Sequence, residues 1–426
     1  MRRFDVLVKR ITIPALLFTL IATGLSCAQR GTGEVYADNP QSSISPDAPL
    51  ILDHTTFDYD NRFSALNLQL AETEDAYLWL PKLTEEHYLR YYDKTAGDTG
   101  VLCAKPECTH NSESCNAYII PFSGPSLCMM DGLVYWVNYY HTSGSSSFAA
   151  VFCCNPDSTE RRIVSSIEYP PEFAPQRFYF HRNKLFAYGI TSIVASGSPT
   201  VKLSIMYGDI TTGKLKTLLE TEMPSVMPTY NVQFVGSKLY AFFALLDDEP
   251  EHRKIFRADI ETGDVEEIMS ACSEFQFPLG FYVNDEHIVF AGPLGDDAAV
   301  NVLYALKAGS FETYMDFSDR DDLFFVRPLR DIVVGMTAFE EGGCKVWVRD
   351  YEGNTVYRGF LETNFLTGSL YNYIVCGDRN NIIVEFNCKN NGKNTATLVA
   401  YDLSDLRLSA LSYKIMGFSE EAEGLS

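Results

Sequence analysis

The chain has 426 residues, a formal net charge of −22 and a pI near 4.7. Such acidity argues against nucleic acid as a partner and against electrostatic docking on anionic lipid, since both are polyanions. The length exceeds what one compact core usually holds unless a repeat divides it. With 25 Tyr and 28 Phe the composition favours strands.

Residues 1–10 carry Arg2, Arg3, Lys9 and Arg10, residues 11–22 form an apolar run, and Gly24, Leu25 and Ser26 precede Cys27. A basic start, a short apolar core and small residues before a cut describe an export signal, too short for a comfortable membrane span. Ser26 before Cys27 makes residues 1–26 resemble a bacterial lipoprotein signal peptide. That resemblance implies cleavage before Cys27, lipid on its sulfur, and a place on the extracytoplasmic face of the cell membrane. The pattern departs at Gly24, where Leu is usual, and the plainer alternative is secretion with Cys27 unmodified. Cleavage would remove Arg2, Arg3, Lys9, Arg10 and Asp5, leaving a still more acidic chain. Two or more acyl chains, at roughly 0.8 kcal/mol per buried CH₂, would hold it at a membrane despite that charge. Residues 27–61, rich in Gly, Ser and Pro, read as a lipid-anchored tether.

From residue 64 to 415 one phrase recurs. Its clearest copy is residues 201–219: Val201, Leu203, Ile205 and Tyr207 alternate with small or polar residues, Asp209 opens a turn, and Gly213 suits its left-handed position. Seven units of four strands, A to D, follow: 64–103, 126–165, 176–219, 231–268, 279–314, 323–359 and 371–413. Five C–D turns carry a glycine (Gly97, Gly213, Gly263, Gly309, Gly353); units 2 and 7, turning near 156–159 and 404–405, do not. The A–B turns fall at Asp131 and Gly132, Arg182 and Asn183, Gly236 and Ser237, Asn284 and Asp285, and 378–380. Near-continuous apolar runs beside them, such as Leu133, Val134, Tyr135 and Trp136, fit strands buried on both faces. The expected fold is all-β, a seven-bladed β-propeller of four-stranded antiparallel blades, with 416–426 as a C-terminal tail.

The lipoprotein-like leader, Ala71, Glu72 and Thr73 before Tyr77, the run from Tyr91 to Thr95, and the phrase Leu102-Cys103-Ala104-Lys105-Pro106-Glu107-Cys108-Thr109-His110 with Cys115-Asn116-Ala117-Tyr118 resemble uncharacterised propeller lipoproteins of Gram-positive bacteria. The repeats are more distantly similar to TolB-like and low-density-lipoprotein-receptor-like propellers. The resemblance implies the propeller fold and the membrane address, and no activity.

In an up-and-down blade, the A–B and C–D turns share one end, and the B–C loops and blade connections the other. The second set is long: 140–147, 191–200, 246–253, 292–300 and 338–343. It is also acidic, with Asp247, Asp248, Glu249 and Glu251, then Asp296 and Asp297, Glu340 and Glu341, and Asp316, Asp319, Asp321 and Asp322. Long loops on a rigid frame are where binding usually sits, so this rim is the candidate surface for a cation or basic ligand. Charge runs also serve solubility alone, and the spacing of the last group is not that of a calcium loop.

Cys103, Cys108 and Cys115, with His110 between them, are candidates for a disulfide or for a metal. Three thiolates and an imidazole suit tetrahedral zinc; outside the membrane thiols tend to pair; free thiols are the third reading. Cys153 and Cys154 point to opposite faces of a strand. Cys376 and Cys388 are not a bridge, since a turn at 378–380 sets Cys376 opposite Ile382. Cys128, Cys272 and Cys344 read as small apolar residues. The seven histidines are scattered. No His-Glu-x-x-His, Gly-x-Ser-x-Gly or phosphate-cradling glycine loop is present. The sequence thus predicts a membrane-anchored binding or scaffold propeller with a protein or glycan ligand; the alternative is an extracytoplasmic hydrolase or lyase using rim carboxylates.

Overall fold

The structure, a computed structural model, describes residues 69–81, 88–112, 114–119, 126–141, 147–193, 200–224, 229–244, 252–270, 280–283, 288–291, 302–307, 310–317, 323–329, 331–338, 342–366, 369–390, 393–404 and 410–420. Within them the strands form seven four-stranded antiparallel sheets, each from four consecutive strands, as expected for a seven-bladed propeller. Blade 1 is β1 (Leu70–Glu72), β2 (Ala76–Trp79), β3 (Arg90–Asp93) and β4 (Thr99–Val101). Blade 2 is β5 (Cys128–Met130), β6 (Leu133–His141), β7 (Ser147–Cys154) and β8 (Arg162–Ser166). Blade 3 is β9 (Phe173–His181), β10 (Lys184–Ile193), β11 (Thr200–Asp209) and β12 (Lys216–Pro224). Blade 4 is β13 (Thr229–Val235), β14 (Lys238–Ala244), β15 (Arg253–Asp259) and β16 (Val265–Ser270). Blade 5 is β17 (Gly280–Val283), β18 (Ile288–Ala291), β19 (Val302–Lys307) and β20 (Ser310–Asp316). Blade 6 is β21 (Leu323–Pro328), β22 (Val333–Thr337), β23 (Gly343–Arg349) and β24 (Thr355–Glu362). Blade 7 is β25 (Ser369–Gly377), β26 (Asn381–Asn390), β27 (Lys393–Asp402) and β28 (Ser412–Glu420). First strands of neighbouring blades approach one another, as β1 and β5 do, and β17 with both β13 and β21. Among the described residues, no helix is long and apolar enough to cross a membrane.

The turns follow from their residues. Positive φ at both Asp131 and Gly132, and at both Arg182 and Asn183, gives the primed turns whose twist matches a hairpin. In blades 1, 3, 4 and 7 an aspartate ends the third strand and folds its carboxylate onto the C–D turn. Asp93 Oδ1 accepts from the N–H groups of Thr95 and Ala96, Asp209 from Thr211, Asp259 from Glu261 and Thr262, and Asp402 from Ser404. At Gly213, φ is +65° and a Cβ would stand 2.1 Å from the Ser166 carbonyl oxygen, so the turn and the neighbouring blade both require glycine there.

The core lies between blades. Buried apolar clusters join blades 2 and 3, 3 and 4, 4 and 5, 5 and 6, 6 and 7, and 7 and 1. One irregularity recurs with them. In blades 2 to 7 the pairing of the third and fourth strands slips by one residue, leaving a bulged residue on the outer strand. That residue is Val164, Leu218, Ile268, Tyr314, Val356 or Met416, apolar or aromatic each time. Each packs into the cluster shared with the following blade. A bulge re-aims one side chain without ending the strand, and here it lets the outer edge reach the next blade.

Blades 7 and 1 each consist of their own strands, so side chains close the ring. Leu70, Trp79 and Tyr92 pack with Cys376, Ile383, Leu398 and Met416. The Trp79 indole N–H donates to Glu385 Oε2 at 2.8 Å, Asn387 Nδ2 donates to Glu385 Oε1 at 2.9 Å, and the Thr99 hydroxyl donates to the Met416 carbonyl at 2.7 Å. Met416–Glu420, expected in a C-terminal tail, are therefore the end of β28 in blade 7. Gly417 interrupts the apolar pattern there because the Trp79 ring occupies its Cβ position, with ring carbons at 2.6 Å.

Met416→Ala should cost about 2–5 kcal/mol, since a buried side chain would leave a cavity at the closure. Trp79→Phe should cost about 1–3 kcal/mol by removing a donor from the buried Glu385 carboxylate. Urea unfolding midpoints measure both; a silent Met416→Ala would return the segment to a tail.

Candidate metal centre

The connection after β4 carries the cysteine phrase. Leu102 N–H donates to the Leu89 carbonyl and Leu89 N–H to the Ala117 carbonyl, both at 2.8 Å, so the chain leaves blade 1, loops out and returns beside the start of β3. Tyr88 and Tyr118 form an isolated bridge with edge-on rings 5.6 Å apart. Tight turns set the sulfurs: Cys108 N–H donates to the Lys105 carbonyl and Cys115 N–H to the Ser112 carbonyl, each at 3.1 Å. His110 has φ +52°, an uncommon conformation for a side chain of this size, which this loop holds. The Lys105 ammonium donates to the Ser114 carbonyl. Cys115 is 1% exposed; Cys103, Cys108 and His110 are partly exposed.

These turns bring one ligand atom each from Cys103, Cys108, His110 and Cys115 within 4.8 Å of one another. The imidazole presents Nδ1 to the cluster, 3.4 Å from Cys115 Sγ. Among the described residues the cysteines are unbonded. A disulfide would draw two sulfurs together and leave the third sulfur and the imidazole unused; convergence of all four is what a tetrahedral ion asks for. With a Zn–S length of about 2.3 Å, tetrahedral sulfurs sit roughly 3.8 Å apart, inside the 4.8 Å that bounds the four ligand atoms.

The backbone suits thiolates. Burial raises the Cys103 thiol, but backbone N–H groups of Lys105 and Asn116, together with the neighbouring thiols, outweigh it and hold the thiol below its ordinary range. Burial pushes the Cys115 thiol up to about 12 despite an N–H from Ala117, with the Cys108 and Cys103 thiols adding to the rise. One site thus holds a sulfur ready to ionise and a buried one that resists ionising without a cation.

Blade 2 grips this loop from the other side. The end of an outer strand meets the C–D turn of the next blade elsewhere in the ring: Glu168 N–H donates to the Gly213 carbonyl at 2.9 Å, and Leu411 N–H to the Phe360 carbonyl at 3.1 Å. Here Ala104 N–H donates to Ser158 Oγ at 2.8 Å, in the turn between β7 and β8. That turn has no glycine; Ser158 (φ +65°) and Glu160 (φ +53°) take the left-handed positions. Arg161, next in the chain, donates from Nη1 to the carbonyls of Asn116 at 3.0 Å and Tyr118 at 2.6 Å. Sequence reasoning passed over Ser158 and Arg161; the one signal available was the missing glycine.

Cys153 packs between blades 2 and 3, while the Cys154 thiol lies near Arg161, in keeping with opposite faces. Cys376 pairs with Ile383, one place from the expected Ile382 because a bulge follows Ile374, and Cys388 pairs with Leu370, so the two remain apart. Cys344 is buried. Cys27, Cys272 and the rim candidates Asp247, Asp248, Glu249, Asp296, Asp297, Asp319 and Asp321 lie outside the described residues, as do Glu251, Glu340, Glu341, Asp322 and the side chain of His141.

No protein-family model matches the sequence, and no curated protein matches it. An acylaminoacyl peptidase of Pyrococcus horikoshii is 11% identical, with a TM-score of 0.45, over 82% of this chain and 54% of that one. An uncharacterised protein of Listeria monocytogenes EGD-e is 10% identical, with a TM-score of 0.39, over 70% of this chain and 81% of that one. The chain spans about half the length of the peptidase it matches.

Thiol labelling read by mass spectrometry should find Cys103, Cys108 and Cys128 reactive in the native metal-free protein. Cys153, Cys154, Cys344 and Cys388, buried and with thiols raised by burial, should react only on unfolding. Zinc should protect Cys103 and Cys108 and leave Cys128 reactive; equal protection of all three would count against a local site.

Proposed function

We propose that this chain is a lipid-anchored extracytoplasmic propeller that binds or scaffolds, and that Cys103, Cys108, His110 and Cys115 hold a divalent zinc-type ion that fixes the connection between blades 1 and 2. The observation that carries the metal reading is the convergence of three sulfurs and one imidazole within 4.8 Å. Four protein ligands fill a tetrahedron and leave no position for water or substrate, which is the arrangement of a structural centre. Metal capture also answers the objection that exposed thiols outside the membrane pair: a thiolate bound to zinc is held in place by its metal bond. The membrane address rests on the leader and Cys27, and the binding role on a repeated frame carrying long loops. The ligand class consistent with the acidic rim is a cationic surface on a protein or glycan.

Purified protein should carry one zinc per chain, and cobalt substitution should give an intense sulfur-to-metal absorption band. Cys108→Ser should weaken that band, and chelation should lower Tm by several degrees, as loss of a native-state ligand requires. A protein with no bound metal and no response to chelator would end the metal reading. Separately, Cys27→Ser should abolish incorporation of a labelled fatty acid and move the protein from the membrane fraction to the soluble one; unchanged fractionation would end the anchor.

A further inference from the structure

We propose that Arg161 is the counter-cation of the Cys103, Cys108, His110 and Cys115 centre. The inference rests on the metal reading above and deepens it. Three thiolates, a neutral imidazole and a divalent cation leave the centre with one net negative charge. A negative charge partly withdrawn from water calls for a compensating group.

Arg161 is tied to the chain that follows Cys115. Its guanidinium lies 5.4 Å from the Trp136 ring centroid and 5.5 Å from that of Phe152, two rings stacked at 5.8 Å. Cation–π contact fixes its plane and keeps it against an apolar wall. Its Nη1 bonds to the Asn116 and Tyr118 carbonyls hold it across the chain that follows Cys115. Burial lowers the Arg161 guanidinium from its ordinary range, and the nearby sulfurs of Cys154 and Cys115 offset part of that. Among the described residues it has no carboxylate partner, whereas its neighbour Arg162 reaches Glu160 at 4.0 Å. A cation held on aromatic rings and carbonyls, in a chain with 56 Asp and Glu, is left for something other than a carboxylate. Lys105, the other cation on the loop, is exposed and faces the Ser114 carbonyl, where water screens it.

The charge balance has a chemical consequence. With a divalent ion, the centre and Arg161 together are neutral. A monovalent copper ion in the same three thiolates would leave one negative charge over, and a trivalent ion one positive charge over. Ligand softness admits copper(I) as well as zinc; the guanidinium stabilises either negative centre, and the more negative one more strongly.

The test is zinc affinity of the whole protein, measured by chelator competition, for wild type, Arg161→Gln and Arg161→Lys, with the Tm of each metal-free form as the control for folding. Arg161→Gln should weaken zinc binding roughly 10–100-fold, the range for removal of an outer group at a metal site. Arg161→Lys, which keeps the charge and loses the fork of donors, should recover most of that loss. Copper(I) binding, whose centre carries one more negative charge, should weaken at least as much as zinc binding in Arg161→Gln; copper(I) affinity unchanged beside weakened zinc affinity would count against a charge role. Equal zinc affinity in wild type and Arg161→Gln would overturn the counter-cation while leaving the metal centre standing. Equal weakening in Arg161→Gln and Arg161→Lys would show a purely geometric role and also overturn it. A wild-type protein that takes up no zinc would overturn both this proposal and the reading beneath it.

Discussion

Burial between successive blades is the constraint from which the rest of the structure follows. A four-stranded sheet with apolar residues on both faces has no stable existence in water by itself, so each blade needs a neighbour on either side. The inner strands meet this need through proximity around the ring. The outer strands diverge, and their distance from the next blade would leave a gap. The bulged residue of blades 2 to 7 fills it: Leu218, Met416 and their counterparts turn one extra apolar side chain toward the following blade. A regular strand of the same length would aim that position sideways, because side chains alternate with a period of two.

The same constraint explains how the ring closes. Among the described residues blades 1 and 7 share no strand, so the last interface has to be as complete as the others without help from backbone pairing. It carries a buried polar contact. Glu385, fully buried, accepts from Trp79 and from Asn387, two donors that share its charge between the two blades. A buried carboxylate adds little net stability compared with an apolar residue of the same shape, but breaking its bonds is costly. The Trp79–Glu385 pair therefore sets register between first and last blade more than it adds binding energy.

Much of this was legible because turns make demands that few residues satisfy. Aspartate followed by glycine at the end of a third strand announces a hairpin, and the copies with Asp93, Asp209 and Asp259 fold as their sequences predict. Bulges were not legible, since an extra apolar residue in a strand looks like any other. An even count from the turn therefore sets Cys376 opposite Ile382, and the end of β28, with Gly417 beneath the Trp79 ring, reads as a tail. The cysteine phrase disclosed its ligand types but not their convergence, which depends on a left-handed His110 and on turns closed by the Lys105 and Ser112 carbonyls.

The place where the repeat reads worst is also where the cysteine loop docks, and the two facts have one cause. Blade 1 has short outer strands in even register, with no bulged residue to reach blade 2. The loop after β4 supplies that contact instead, burying Leu102, Cys115, Ala117 and Ile119. To receive it, the β7–β8 turn of blade 2 gives up the glycine that five of its sister turns carry for Ser158, whose hydroxyl accepts from Ala104, and sets Arg161 toward the Asn116 and Tyr118 carbonyls. A side chain in the left-handed region costs on the order of 1 kcal/mol, an amount two or three such hydrogen bonds offset. Departure from the repeat is thus itself a signal: where one copy of a unit abandons the residue its fold prefers, a contact outside the unit has claimed the position.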